Sequence, residues 1–203
     1  MRGLHVLTCF LCAVAAPLVA AEWRIDPARS TAGFTVTNMM VTTVPGTFDK
    51  MTGAVHYDPA EPEKASVHVE IDVASVNTGV EKRDNHLRSA DFFEVEKYPK
   101  MSFTSTRVER AGPGKLRLTG NLSIKYVTKS VTFDVDGPSE PRRTPQGLRA
   151  NVTATAKISR REFGLLWNHL IEAGGGVVVG DEVTIIMKIE MVEVRPPAPG
   201  QGS

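Results

Sequence analysis

The chain has 203 residues, 41% of them hydrophobic and 23% charged, which suits a domain with a real core and excludes wholesale disorder. Its 24 Lys and Arg against 23 Asp and Glu leave a formal charge of +1. That balance argues against a nucleic-acid coat or a polybasic membrane code, and 6% aromatic residues weaken a base-stacking role.

The N-terminus reads MRGLHVLTCFLCAVAAPLVAAEW. Arg2 supplies a positive start, Leu4 to Leu18 is largely apolar, and Val19-Ala20-Ala21 is a small-residue site. This layout predicts a secretory signal peptide over 1–21, cleaved after Ala21 with Ala20 as the rival site. The apolar run is shorter than the roughly 20 residues of a membrane span, so no stable span is expected. Cys9 and Cys12 both lie in the signal, and neither follows a pattern suited to lipidation. The mature chain therefore has no cysteine, and with it no disulfide or thiolate metal site. Losing Arg2 and no acid, it balances its charges.

Strand patterns dominate the remainder. Ala32-Gly33-Phe34-Thr35-Val36-Thr37 alternates apolar and polar residues, and Val67 to Val73 does so strictly. The same period runs through Leu116-Arg117-Leu118-Thr119, Leu122-Ser123-Ile124, Val131 to Val135 and Ala150 to Ile158. The last strand puts Val183, Ile185, Met187, Ile189 and Met191 on one face. Period two means one buried face and one wet face, and favours antiparallel pairing. Val44-Pro45-Gly46, Asp58-Pro59 and Gly112-Pro113-Gly114 punctuate these runs. About eight strands fit into one domain over 22–195, followed by a disordered tail over 196–203.

Asn77 to Pro99 breaks the pattern. Val80, Asp84, Leu87 and Asp91 lie at helical spacing, and Ser89 is placed to cap a second turn at Asp91-Phe92-Phe93. This predicts a short helix, a break and a further helical turn. An all-β chain with one helical insertion is a closed barrel or a sandwich, and the pattern alone leaves both open.

Several segments resemble the YceI-like (polyisoprenoid-binding) family. Trp23-Arg24-Ile25-Asp26-Pro27 with Ser30 and Phe34 is similar to its opening, and Gly46-Thr47-Phe48 with Gly53 to its next element. The most specific stretch is Arg83-Asp84-Asn85-His86-Leu87-Arg88-Ser89-Ala90-Asp91-Phe92-Phe93, followed by Tyr98-Pro99 and Phe103. Gly120-Asn121-Leu122 with Val127-Thr128-Lys129, then Arg160 to Leu165 and Gly180 to Val183, complete a match from about Trp23 to Val194. One departure is plain: Lys125-Tyr126 stands where the family often has His-Gly.

The resemblance implies an extended lipocalin-like eight-stranded antiparallel β-barrel with a short helical lid segment. It implies an apolar interior that holds an amphiphile, typically a polyisoprenoid, and export, commonly to a bacterial periplasm. A homodimer is compatible with it, though no interface is legible. On this basis the candidate ligand-binding residues are Phe34, Phe48, Ile71, Phe103, Leu118, Leu122, Phe133, Ile185 and Met187 on the strands. His86, Phe92, Phe93 and Trp167 join them at the helical segment and the barrel mouth. Val36, Val69 and Val152 are also expected inward. Ala32, Gly120, Ala150, Ala154 and Ala156 are expected to leave volume unfilled or to allow tight backbone approach. Taken singly, each strand residue is equally a core residue. Asp84, His86, Ser89 and Asp91 are candidates for orienting a polar head group, with Arg83 and Arg88 available for a phosphate or carboxylate. The alternative is that Asp84 and Asp91 satisfy nearby backbone donors, that His86 is a packed histidine and that Arg83 and Arg88 are solvated.

Other functions fare worse. The mature histidines, His56, His68, His86 and His169, show no metal-ligand spacing, so no metal or cofactor is expected. No nucleophile motif is present, and Asp and Glu fall on outward strand positions, so no catalysis is expected. The expectation is a periplasmic, non-enzymatic carrier or sequestering protein for an isoprenoid, a quinone-like lipid or another long-chain lipid. The alternative is a stress-related or surface protein with a filled barrel that binds a protein partner.

Overall fold

The computed structural model describes residues 21–38, 42–168 and 179–194. Residues 1–20 of the expected signal peptide, His169 and the expected 196–203 tail lie outside the described residues. Twelve strands are present among them. They are β1 (Ala21–Ile25), β2 (Thr31–Asn38), β3 (Thr42–Phe48), β4 (Met51–Tyr57), β5 (Ser66–Asp72) and β6 (Val76–Asn77), then β7 (Lys100–Gly112), β8 (Lys115–Ile124), β9 (Val127–Asp136), β10 (Arg142–Thr144), β11 (Gly147–Ser159) and β12 (Val179–Glu193). One helix, α1 (Glu81–Arg88), lies between β6 and β7.

The twelve segments fill eight positions of a closed antiparallel barrel. β1 and β2 lie end to end along one edge of β12, pairing Trp23 with Glu193 and Thr31 with Lys188. β3 and β4 share the next position, since β3 pairs with β2 and β4 with β1. β5 and β6 share the third. From β5 the sheet continues through β7, β8, β9 and β11. β11 then pairs with the other edge of β12 from Arg149–Val192 to Ser159–Glu182, which closes the ring. The eight-stranded barrel is as the family resemblance implies, and a sandwich is excluded.

Alternation decides which residues enter the interior. On β12 the odd-numbered residues from Val183 to Met191 face inward, with Lys188 outside. The barrel has two unlike ends. The floor, where β1 begins and β12 ends, is packed by Trp23, Val55, Ala150 and Met191. The helix end carries α1, the turn between β8 and β9, and the segment 160–168 that follows β11.

The break between β1 and β2 is a turn in which the Asp26 amide donates to the Glu190 carbonyl (2.9 Å) and the Ala28 amide to the Asp26 carboxylate (3.1 Å). It is covered by an ion cluster on the outer wall. Arg149 donates to Asp26 (2.7 Å) and to Glu190, and Arg142 donates to Glu190 (2.8 Å). Ser30 Oγ accepts from the Glu190 amide (3.0 Å). Glu190 and Arg149 are buried although they face away from the interior.

The Arg149 guanidinium, bonded to Asp26, holds that carboxyl below its usual value despite an opposing effect of burial. A depressed carboxyl contributes stability that is present above its ordinary value and lost as pH falls through the folded one. Acidification from pH 5 towards pH 2 is therefore expected to lower the urea midpoint of the native chain. Asp26→Asn should be less stable at pH 7 and lose less over the same interval.

Gly53 on β4 allows close strand contact: a Cβ there would stand 2.6 Å from the His68 carbonyl oxygen on β5. Backbone cannot yield as a side-chain tip does. Gly53→Ala is expected to destabilise by about 1–3 kcal/mol in urea denaturation.

Candidate functional site

The barrel encloses a cavity of about 250 Å³ with an apolar wall. A water needs only about 10–15 Å³ of such space, so this is room for a sizeable guest. The cavity touches β12 from Val179 to Met191. At about 3.3 Å per residue that is ~40 Å of strand, or ~30 Å along the axis for the usual barrel tilt. A cavity of this volume over this length is a narrow tunnel.

Eleven of the thirteen candidate residues line it. Phe34, Phe48, Ile71, Phe103, Leu118, Leu122, Phe133, Ile185 and Met187 reach it from the strands, and Phe92 and Phe93 from the turn after α1. Aromatic contacts run along the wall. Phe34 and Phe48 have ring centroids 5.5 Å apart, and Phe48 meets Phe93 edge-on at 5.8 Å. Phe103 and Phe133 pack edge-on at 5.1 Å. Val36, Val69 and Val152 also line the tunnel, as do Ala32 and Ala154. Gly120, Ala150 and Ala156 do not. The space beside Gly120 is taken by the Phe103 ring, 2.5 Å from where a Cβ would be, and Ala150 belongs to the floor.

His86 and Trp167 stand one layer behind the wall. Their rings meet edge-on at 4.6 Å, and the His86 ring meets Phe92 edge-on at 5.1 Å. His86 Nε2 lies 2.9 Å from Asp91 Oδ2. They support Phe92 from outside and do not line the cavity. For His86 the reason is helical geometry: α1 presents Leu87 to the tunnel, and its neighbour points about 100° away.

The polar groups of α1 hold the local chain together. Asp84 accepts from the Thr78 amide (2.9 Å) and hydroxyl (2.5 Å). Arg83 donates to the Thr78 hydroxyl and carbonyl, at 2.8 and 3.0 Å. Arg88 donates to the Ala74 and Val76 carbonyls, both at 2.8 Å, and to Asn85. Ser89 Oγ donates to the His86 carbonyl (2.8 Å). Asp84 thus serves a backbone donor as the alternative has it, whereas Arg83 and Arg88 are bonded to the local chain where that alternative left them solvated.

Sequence reasoning passed over Arg160. It is only 4% exposed, and its stem reaches the cavity. Its guanidinium donates to four carbonyls: Gly180 (2.8 Å), Leu165 (2.5 Å), Trp167 (2.9 Å) and Val179 (3.0 Å). Burial pushes its pKa down from the usual value. The signal was present, because the alternation Ala154, Ala156, Ile158 carried one step further points Arg160 inward.

Among the described residues, no three His, Cys, Asp or Glu side chains gather as a metal site would require. No helix among them is long and apolar enough to cross a membrane.

The model of the YceI-like domain matches residues 23–191. Protein YceI of Salmonella newport (strain SL254) is 34% identical over 179 residues, covering 87% of this chain and 90% of that protein. A UPF0312 protein of Shewanella baltica (strain OS155) is 35% identical over 148 residues, covering 72% of this chain and 78% of that protein. Among solved structures, Burkholderia cenocepacia BcnA superposes with a TM-score of 0.69 at 26% identity, over 82% of this chain and 98% of its own. A polyisoprenoid binding domain from Saccharophagus degradans has the same fold, with a TM-score of 0.60 at 18% identity over 87% of this chain and 99% of its own.

Replacing Arg160 strands its four carbonyl partners. Arg160→Met is expected to cost about 2–4 kcal/mol in urea denaturation. Arg160→Lys should recover only part of this, because an ammonium lacks the planar fork that reaches four acceptors.

Proposed function

We propose that this chain, which belongs to the YceI-like family, is an exported carrier or sequestering protein that holds the apolar tail of an isoprenoid or quinone-like lipid inside its barrel. The observation that carries this is the long, narrow, apolar tunnel. A polar metabolite would find no partner along such a wall, and burying its polar groups there would be costly. A hydrocarbon tail gains about 0.8 kcal/mol for each methylene removed from water.

Length narrows the class. A bilayer's hydrocarbon core is about 30 Å thick and holds two tails end to end. A tunnel of similar length therefore accepts a chain about twice as long as an ordinary acyl tail, which suits a polyisoprenoid. The cavity also favours cargo over a filled barrel that serves only as a protein-binding surface. The three-part N-terminal layout supports export, and a bacterial periplasm is the compartment we assign. The function needs no reaction and no cofactor.

The experiment has two parts. Mass spectrometry of an organic extract of protein purified from a bacterial periplasm is expected to show a stoichiometric isoprenoid or quinone. Dissociation constants are then measured for isoprenoid alcohols of increasing length. At about 0.3 kcal/mol per heavy atom, each five-carbon unit contributes ~1.5 kcal/mol, so affinity should rise about tenfold per unit until the tunnel is full. Ala154→Leu, which narrows the wall midway, should weaken the longer alcohols more than the shortest. Affinity independent of chain length would sink the tunnel reading.

A further inference from the structure

We infer that the helix end of the barrel docks on a lipid bilayer and that cargo passes between bilayer and tunnel by contact there. This rests on the carrier reading above and adds the surface at which exchange occurs.

Single exposed apolar side chains are ordinary on any protein. Their placement here is not. Among the described residues the exposed large hydrophobics are Val80 at 47%, Tyr126 at 67% and Leu166 at 61%. All three belong to the helix end. Val80 immediately precedes α1, Tyr126 sits in the turn between β8 and β9, and Leu166 lies on the segment that Arg160 ties down. Tyr126 and that segment are in contact, since a Cβ on Gly164 would come within 2.7 Å of the Tyr126 hydroxyl. Leu165, next to the exposed Leu166, lines the tunnel, as do Phe92 and Phe93. The exposed apolar groups thus flank the residues that form this end of the cavity. None of these three belongs to the floor.

The chemistry of the patch suits a membrane interface. The Tyr98 and Tyr126 rings lie 5.9 Å apart, with the Lys97 ammonium 5.2 Å and the Lys125 ammonium 5.8 Å from the Tyr98 centroid. Tyrosine and lysine each join an apolar body to a polar tip that settles at the headgroup level, a place open to the exposed Tyr126 and Lys97, while the Lys125 side chain is buried beneath them. The charges are largely matched: Glu94 faces Lys125 at 3.5 Å and Lys97 at 3.9 Å, and Glu162 faces Lys129 at 3.4 Å. A patch with matched charges is not built for a strongly acidic partner, whether protein or nucleic acid. It fits a zwitterionic bilayer, met through its apolar side chains. Tyr126 also stands at the position where this chain departs from the family pattern, beside Lys125 held at φ 54°, a backbone region that costs a non-glycine residue.

The cargo supplies the reason for contact. A long hydrocarbon tail leaving through water would expose the whole of its apolar surface, which makes aqueous release slow. Passage at a bilayer surface avoids that exposure.

The test is stopped-flow transfer of a pyrene-labelled isoprenoid alcohol from the protein to phosphatidylcholine vesicles, alongside direct measurement of probe affinity. Transfer is expected to accelerate in proportion to vesicle concentration and to change less than about twofold when anionic lipid is added. The double variant Tyr126→Gln, Leu166→Gln should slow transfer about tenfold while probe affinity stays within about twofold. With binding intact, a rate independent of vesicle concentration, or unchanged in the double variant, overturns the docking surface alone. If the wild-type protein does not bind the probe, the carrier reading falls and the docking falls with it.

Discussion

The pairing of β12 along both edges is the interaction on which the rest of the structure depends. A barrel that keeps its interior open gives up the close packing that stabilises most cores. Continuous backbone ladders must then hold the wall, and an unclosed sheet would leave two exposed edges. β12 has 15 residues, enough to carry β11 on one side and both β1 and β2 on the other. The chain has to bend between β1 and β2 without leaving that edge. The ion cluster of Asp26, Arg149, Glu190 and Arg142 sits at this bend, so the buried charges and the seam are parts of one device. This accounts for charged residues being buried on an outward face, where the alternation alone would leave them in water.

The two ends solve a different problem by different means. At the floor Trp23, Val55 and Met191 pack together with small Ala150. The helix end consists of irregular backbone, which has fewer internal partners and cannot be left unsatisfied when buried. Arg160 satisfies four of its carbonyls, Arg88 two more, and Asp84 an amide. Charge at this end is structural material. That is costly for a buried cation with no carboxylate bonded to it, and it is tolerable because each carbonyl supplies a fixed dipole where water would have been.

Much of the wall was legible because period two is a strong signal. Once β12 alternates, Ile185 and Met187 share a face, and the same argument places Phe103, Leu122 and Phe133. Closure was not legible in the pattern itself; it came with the family resemblance, since a sandwich has the same alternation. The broken strands were hidden for a related reason. Asp26 to Ser30 and Asp49-Lys50 look like ordinary turns, and only register shows that the chain resumes along the same line. The motif around His86 is aromatic and polar and points to a ligand, yet a one-residue step on a helix swings a side chain by a quarter turn or more; Trp167 lies on irregular chain after β11, where no period tells its direction. Arg160 was overlooked because arginine is rarely buried, and composition outweighed an alternation that already pointed it inward.

A wall that is almost wholly apolar also restricts what the tunnel is able to discriminate. Selectivity for a head group needs donors or acceptors that a wrong ligand leaves unpaired. Along the tunnel none is offered, and at the helix end the nearest candidates are already engaged with the backbone. Arg83 is bonded to Thr78, Arg88 to Ala74 and Val76, and Arg160 to its four carbonyls. What such a tunnel can measure is therefore the length and width of an apolar guest. On the carrier reading proposed above, a protein of this design would sort its cargo by tail, and lipids with different heads but similar tails would compete for it on nearly equal terms.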